Sequence, residues 1–201
     1  MITLAVTVCN EHKELKLLLD YLQEHTYPDQ YEIIVQIDKD NFTDDVIGVI
    51  VNRGIKHWFY SLNKDFASYK NELSKHAEGD YIFQIDADEI PSKELLDNLP
   101  TILKNNDSDV YLVPRINTVE GITEEHIQQW GWRVEGDRIN FPDYQWRIYK
   151  NTPSIKWVNK VHERLDGFKT YAALPPQDEF CLIHAKNIKK QEKQNQFYNT
   201  I

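Results

Sequence analysis

Three carboxylates fall within four residues at Asp86-Ala87-Asp88-Glu89, directly behind Tyr81 to Ile85, an apolar run rich in β-branched and aromatic residues that reads as a buried strand. Ionised carboxylates crowded at the rim of such a strand repel one another by about 4 kcal/mol per close pair at a protein-surface dielectric. They therefore require water, basic partners or a divalent cation. Spaced two apart, Asp86 and Asp88 would share one side of an extended backbone, and Ala87 between them leaves room for phosphate groups. Pro91 stops the strand, and Ser92 is placed to cap a helix beginning at Lys93. The same string also suits a solvated strand-to-helix turn, so its meaning depends on its surroundings.

The elements needed to position those acids are legible in order. Met1 to Cys9 reads as a buried strand, Lys13 to Glu24 as an amphipathic helix with Leu15, Leu17, Leu18, Leu19 and Leu22 toward the core, and Glu32 to Ile37 as a second strand. A polar loop from Asp38 to Asp45 leads to a helix over Val46 to Val51, then a strand over His57 to Ser61 and a helix over Asp65 to His76. Four strand-helix alternations predict a parallel, doubly wound α/β sheet, whose ligands bind beyond the carboxyl ends of the strands. That topology gathers Asn10, Glu11, Asp38, Asp86 and Asp88 on one rim.

After Leu103 the pattern changes to a strand over Asp109 to Ile116 and an excursion from Asn117 to Asp137 that contains Trp130-Gly131-Trp132. Short strand-like pieces follow at Tyr144 to Tyr149 and Ile155 to Trp157, then an alternating run over Lys160 to Leu165 and a strand over Phe180 to Ile183 leading into His184. A basic, Gln-rich helix over Asn187 to Tyr198 closes the chain. We read residues 1–105 as a nucleotide-binding half and 106–201 as an α+β cap that completes it, in one domain over residues 1–201.

Composition narrows the function. Apolar content of 41% and charged content of 27% are those of a soluble globular protein, and a net charge of −9 argues against a general nucleic-acid binder. With no apolar run of about 18 residues and no signal-peptide pattern, the expected location is the cytoplasm. Cys9 and Cys181 lie in strand-like apolar runs and are expected to be reduced. Lys186, Lys189, Lys190 and Lys193 read as a solvated helix face, with anionic lipid head groups at a membrane surface or an acidic partner as the alternative.

The chain resembles the family 2 glycosyltransferases of the GT-A fold. The matching residues are Val6 to Glu11, Glu32 to Val35, Asp65 to Asn71, Ala77 to Ile82, the Asp86-Ala87-Asp88 string, Arg147-Ile148-Tyr149, Trp157 and Val161-His162-Glu163. Trp157 followed by Val-His-Glu is similar to a branch that includes lipopolysaccharide-core β-glucosyltransferases. The resemblance implies inverting transfer of a sugar from a nucleoside diphosphate donor, a UDP-sugar, to a saccharide, lipid-linked or other hydroxyl acceptor. It implies Mn2+ or Mg2+ held by Asp88, with Asp86 in the metal shell or on the ribose and His184 completing the metal or diphosphate site. Asp38 matches the nucleobase position, where the family usually shows an Asp pair and this chain has Asp38-Lys39-Asp40. Asn10 and Glu11 would contact the nucleoside, and Lys70 the ribose or a phosphate.

Glu163 is the expected general base, with His162 as its competitor. On an alternating strand these two would point to opposite faces, so one of them would enter the cleft. Trp130, Trp132 and Trp157 offer stacking surfaces for an acceptor, or core packing. Two other readings compete. A nucleotidyltransferase would carry a Gly-rich basic loop after the first strand, where this chain has Asn10-Glu11-His12. A catalytically decayed nucleotide-sugar-binding protein would bind donor without consuming it.

Overall fold

The computed structural model describes residues 1–198, with side chains described through Gln196. The chain runs β1 (Ile2–Val8), α1 (His12–His25), β2 (Tyr31–Asp38), α2 (Asp44–Val51), β3 (Lys56–Tyr60), α3 (Phe66–Ser74) and β4 (Tyr81–Asp86). It continues with β5 (Ile90–Pro91), α4 (Lys93–Asn105), β6 (Val110–Glu120), α5 (Glu124–Trp130), β7 (Val134–Glu135) and β8 (Arg138–Lys150). Three short strands, β9 (Lys156–Val158), β10 (Arg164–Asp166) and β11 (Tyr171–Ala173), precede β12 (Leu182–Asn187) and α6 (Ile188–Tyr198).

The main sheet has the order β3-β2-β1-β4-β8-β6-β12-β5, with β11 added to β6 and β7 to β8. The first four strands are parallel, as the alternation of elements predicts, and β8 enters antiparallel between β4 and β6. Strand β1 is buried along its whole length because both of its faces are covered. Ile2, Leu4, Val6 and Val8 meet the leucines of α1 and α4, whereas Ala5 packs on the opposite face with Ala67 and Leu73 of α3. The α1 stripe is Leu15, Leu18, Leu19 and Leu22; Leu17, expected toward the core, is 62% exposed because it lies off that stripe.

Helix α4 begins where the sequence places it, with the Ser92 hydroxyl accepting from the Leu95 N–H at 3.2 Å. Pro100 lies inside this helix and has no N–H for the Leu96 carbonyl. The buried Tyr31 hydroxyl donates to that carbonyl instead, at 2.6 Å.

The second half departs from the expected segmentation. Residues 117–120, read as part of an excursion, extend β6 and pair with His184 to Asn187 of β12. The short piece over Tyr144 to Tyr149 belongs to a 13-residue strand. Its first part adds residues 138–143, of which Ile139, Asn140 and Asp143 line a cleft. The alternating run over Lys160 to Leu165 is mostly turn, with Asn159 at φ 72° and His162 at φ 53°, and only Arg164–Asp166 pairs, with β9. Of the closing lysines, Lys190 and Lys186 turn inward to protein partners, so the expected basic face is reduced to Lys189 and Lys193. Among the described residues no helix is long and apolar enough to cross a membrane. Cys9 and Cys181 are both free thiols, as expected.

The turn after β10 depends on Gly167, which has φ 81° and packs so closely that a Cβ would collide with the Ser154 carbonyl oxygen. Gly167→Ala is therefore expected to lower stability by about 2 kcal/mol or more, read as a fall in the urea midpoint. An unchanged midpoint would show that the β9-β10 hairpin adapts freely.

Candidate functional site

Asp86 ends β4 opposite Thr7 of β1, and the two side chains meet at 3.0 Å. Its other oxygen accepts from Arg147 of β8 at 2.7 Å, and Lys70 of α3 lies 3.7 Å away. Burial opposes the charge on Asp86, but Arg147 and Lys70 outweigh it and hold the carboxyl well below the usual range. The same guanidinium nitrogen donates to Glu89 at 2.6 Å, and Arg115 of β6 reaches that Glu89 oxygen at 2.8 Å. Glu89 is fully buried, and its second oxygen accepts from the Asp86 N–H at 3.2 Å.

That last bond, with the Glu89 N–H to Asp86 carbonyl bond at 2.9 Å, folds residues 86–89 into a turn. The extended geometry expected for Asp86 and Asp88 is thus replaced by one that aims them at different partners. Asp88 Oδ2 lies 3.3 Å from His184 Nε2 and 3.3 Å from Lys190 Nζ, which also bonds Glu14 of α1 at 3.2 Å. Burial works against ionisation of Asp88 too, and His184, Lys190 and Lys186 together hold it below the usual carboxylate range. Lys186 is itself pushed down to about 8 by burial, against the pull of Asp88.

Lys70 was expected at the ribose or a phosphate. Here its ammonium is buried against Glu163 Oε1 at 2.6 Å and sits 4.7 Å above the Trp157 ring. Glu163 and His162 both line the cleft with Asp86, Asp88 and His184, a space of about 440 Å3. The expectation that only one of them could enter fails because His162 takes a left-handed backbone instead of a strand conformation. Trp132 and Trp157 also line this cleft. Trp130 instead stacks on His126.

The nucleoside candidates lie along the same edge at the ends of β1 and β2, one and two strands from β4. Asp38 is buried and accepts from Asn41 Nδ2 at 2.8 Å and the Leu62 N–H at 3.2 Å. Glu11 turns back to accept the N–H groups of Cys9 and Asn10, each at 3.0 Å, while Asn10 is exposed. None of these three lines the 440 Å3 cleft. Sequence reasoning missed Glu89, Arg115, Asn117, Asp143 and Gln145 as parts of the site. The signal available was period-two polarity in Arg115-Ile-Asn117 and Asp143-Tyr-Gln145-Trp-Arg147, which places each set on one face of its strand.

The donor set suits a hard divalent cation. Asp88 Oδ2 and His184 Nε2, 3.3 Å apart, approach the separation of about 3 Å that neighbouring ligands have on an octahedral cation at about 2.1 Å. Among the described residues no three His, Cys, Asp or Glu side chains converge on one point. A cation here would keep open positions for phosphate oxygens and water. Both oxygens of Asp86 are engaged by protein, so its direct part in such a shell would require displacing Thr7 or Arg147.

Two expectations follow from this geometry. Arg147→Met leaves Glu89 and Asp86 without their shared guanidinium and is expected to destabilise the protein by about 3–5 kcal/mol in urea denaturation; a loss under 1 kcal/mol would show the cluster to be solvated. The Cys9 thiol is pushed up to about 12 by burial, then by Glu11 and Asp38. At pH 8 its alkylation should be orders of magnitude slower than that of an unhindered cysteine, and faster in Asp38→Asn, by mass spectrometry of the labelled peptide.

Comparison with known proteins bears on this arrangement. TarS residues 1–349 from S. aureus matches with a TM-score of 0.64 at 16% identity, over 92% of this chain and 60% of that one. The same TarS fragment in complex with UDP-GlcNAc gives a TM-score of 0.65 at 17% identity, over 92% and 58%. This chain thus spans about 60% of the TarS fragment's length, and likeness at such identity shows a shared GT-A fold. No curated protein sequence matches. The sequence profile described as Glycosyl transferase family 2 matches residues 3–171, most of the chain, and the protein therefore belongs to glycosyltransferase family 2.

Proposed function

We propose that this chain transfers a sugar from a nucleoside diphosphate donor, a UDP-sugar, to a hydroxyl acceptor with inversion at the anomeric carbon. One observation carries the reading: a single cleft holds a carboxylate-histidine pair, Asp88 and His184, together with a lysine-held carboxylate, Glu163, with Asp86 and Lys70 between them. Breaking the bond to a diphosphate needs positive charge at the leaving group, and attack from the opposite face needs a base for the acceptor hydroxyl. Mn2+ or Mg2+ held by Asp88 and His184 would supply charge stabilisation to the departing diphosphate.

In this reading Glu163 takes the acceptor's hydroxyl proton as that oxygen forms its bond to the anomeric carbon and the diphosphate oxygen departs with the bonding pair. Lys70 fixes Glu163 by its grip on Oε1, with its ammonium over the Trp157 ring. His162 is the alternative base. Asp86, held by Thr7 and Arg147, is assigned to the ribose, and Asp38, Glu11 and Asn10 to the nucleoside at the ends of β2 and β1. The choice of UDP is supported by the complexes of TarS with UDP-GlcNAc and with UDP. Trp157 with Val161-His162-Glu163 supports the narrower likeness to lipopolysaccharide-core β-glucosyltransferases, hence hexosyl transfer to a saccharide or lipid-linked acceptor.

Lys190 favours a second reading. Its ammonium already neutralises Asp88, as in a nucleotide-sugar-binding protein that no longer turns over. Donor consumption separates the two. Asp88→Asn is expected to weaken Mn2+-dependent UDP binding at least 10-fold by calorimetry with the fold intact. Glu163→Gln should keep UDP affinity and lose transfer by about 10²–10⁴-fold across a panel of saccharide acceptors. Undiminished transfer in Glu163→Gln would remove that residue from the chemistry. Binding without any consumption of UDP-sugar by the unsubstituted protein would decide for the binding protein.

A further inference from the structure

His184 is flanked by two hydrogen-bond acceptors. Its Nδ1 lies 2.9 Å from Asn117 Oδ1 and its Nε2 3.3 Å from Asp88 Oδ2. Which end of the Asn117 amide faces the ring is settled by the other contact of that amide. Asn117 Nδ2 donates to Asp143 Oδ2 at 2.8 Å, and an ionised carboxylate can only accept. Asp143 is itself clamped, with Arg115 donating from Nε at 3.0 Å and a terminal nitrogen at 2.7 Å, and Gln145 donating to the other oxygen at 2.8 Å. Reversing the Asn117 amide would set its oxygen against that carboxylate. The amide oxygen therefore stays on His184, and Nδ1 must carry hydrogen to meet it.

The sheet, rather than a loop, imposes these neighbours. Asn117 is the register partner of His184 in the β6-β12 ladder, and Arg115 is the partner of Asp143 in the β6-β8 ladder. A shift of two residues in either ladder would break the relay. One strand, β6, thus touches both the clamp and the histidine.

We propose that Asn117 and Asp143 are positioning residues which fix His184 with hydrogen on Nδ1, so that the Nε2 lone pair is presented to a divalent cation shared with Asp88. The inference rests on the reading of Asp88 and His184 as the cation-binding pair. Partners of this kind orient a ligating imidazole, and their loss costs about 10–100-fold in metal affinity.

The test is Mn2+ titration in saturating UDP, followed by the electron paramagnetic resonance signal of free aqueous Mn2+. His184→Ala sets the scale of a lost ligand. Asn117→Leu and Asp143→Asn are each expected to lose about 10–100-fold in Mn2+ affinity. The exchanged pair Asn117→Asp with Asp143→Asn, which again sets an acceptor against Nδ1, is expected to recover most of it. A residue that merely packed would give no such rescue. Nitrogen-15 NMR of the unsubstituted protein with Mg2+ and UDP should show His184 protonated on Nδ1 alone, whether or not the variants fold. Hydrogen on Nε2 in that state, or wild-type Mn2+ affinity in both single variants when His184→Ala has lost it, would overturn the proposal. Unchanged Mn2+ affinity in His184→Ala would overturn the cation-site reading along with it.

Discussion

Asp86 and Glu89 are two carboxylates within one turn of chain, and the fold accommodates both because one nitrogen of Arg147 lies 2.7 Å from the first and 2.6 Å from the second. Glu89 has no exposure at all, so it needs this cation and that of Arg115. Buried ion pairs are weak sources of net stability, since desolvation consumes much of the Coulombic gain, yet removing one partner is costly. Their effect here is on position. Glu89 pulls the Asp86 amide into a turn, and the turn sends Asp86 toward α3 and Asp88 toward β12.

From that divergence the rest of the cleft follows. On one side Lys70 links Asp86 to Glu163, tying helix α3 to the loop before β10. On the other, His184 and Lys190 meet Asp88 and tie β12 and α6 to the same acidic turn. Asp86 is met by Lys70 of α3 and Arg147 of β8, Glu89 by the same Arg147 and Arg115 of β6, and Asp88 by His184 of β12 and Lys190 of α6, so the charge that would scatter an isolated Asp-Ala-Asp-Glu string instead draws five elements together. Lys190 has a further consequence. It occupies the same carboxylate oxygen as His184, so a divalent cation at Asp88 and the ammonium compete for one position, and like charges that close repel by several kcal/mol at protein-surface dielectric. Lys190 has somewhere else to go, since Glu14 already shares it.

The parallel half of the fold was legible because its signals are local. The leucines of α1, the uninterrupted apolar strands and the Ser92 cap each declare an element within a few residues. The acids at the ends of β2 and β4 could be placed on one edge from topology alone, and they lie there. What the sequence did not reveal depends on pairing between distant strands. Only Tyr144 to Tyr149 of β8 read as strand-like, and the full length of Arg138–Lys150 is set by its pairing with β6, while Asp143, Gln145 and Arg147 face a cleft and so break the hydrophobic alternation of a half-buried strand. No local feature reveals that Lys70 meets Glu163, 93 residues later, at 2.6 Å. His162 and Glu163 were put on opposite faces by a period-two rule that a left-handed residue breaks.

The late position of His184 explains why so much of the site is non-local. Strand β12 pairs in parallel with β6 and antiparallel with β5, the two residues that follow the acidic turn. Leu182 and Ile183 sit on Pro91 and Ile90, so the next residue of β12, His184, is delivered to the level of Asp88. The carboxylate thus comes from the first half of the chain and the imidazole from the last quarter, joined by a two-residue ladder. Such a pair exists only when the final strand is seated. Binding a cation across it would stabilise that docking by linkage, because the ligand prefers the seated state. The chemistry read from the acidic motif is therefore conditional on the closing strand, and β12 belongs to the site as fully as β4 does.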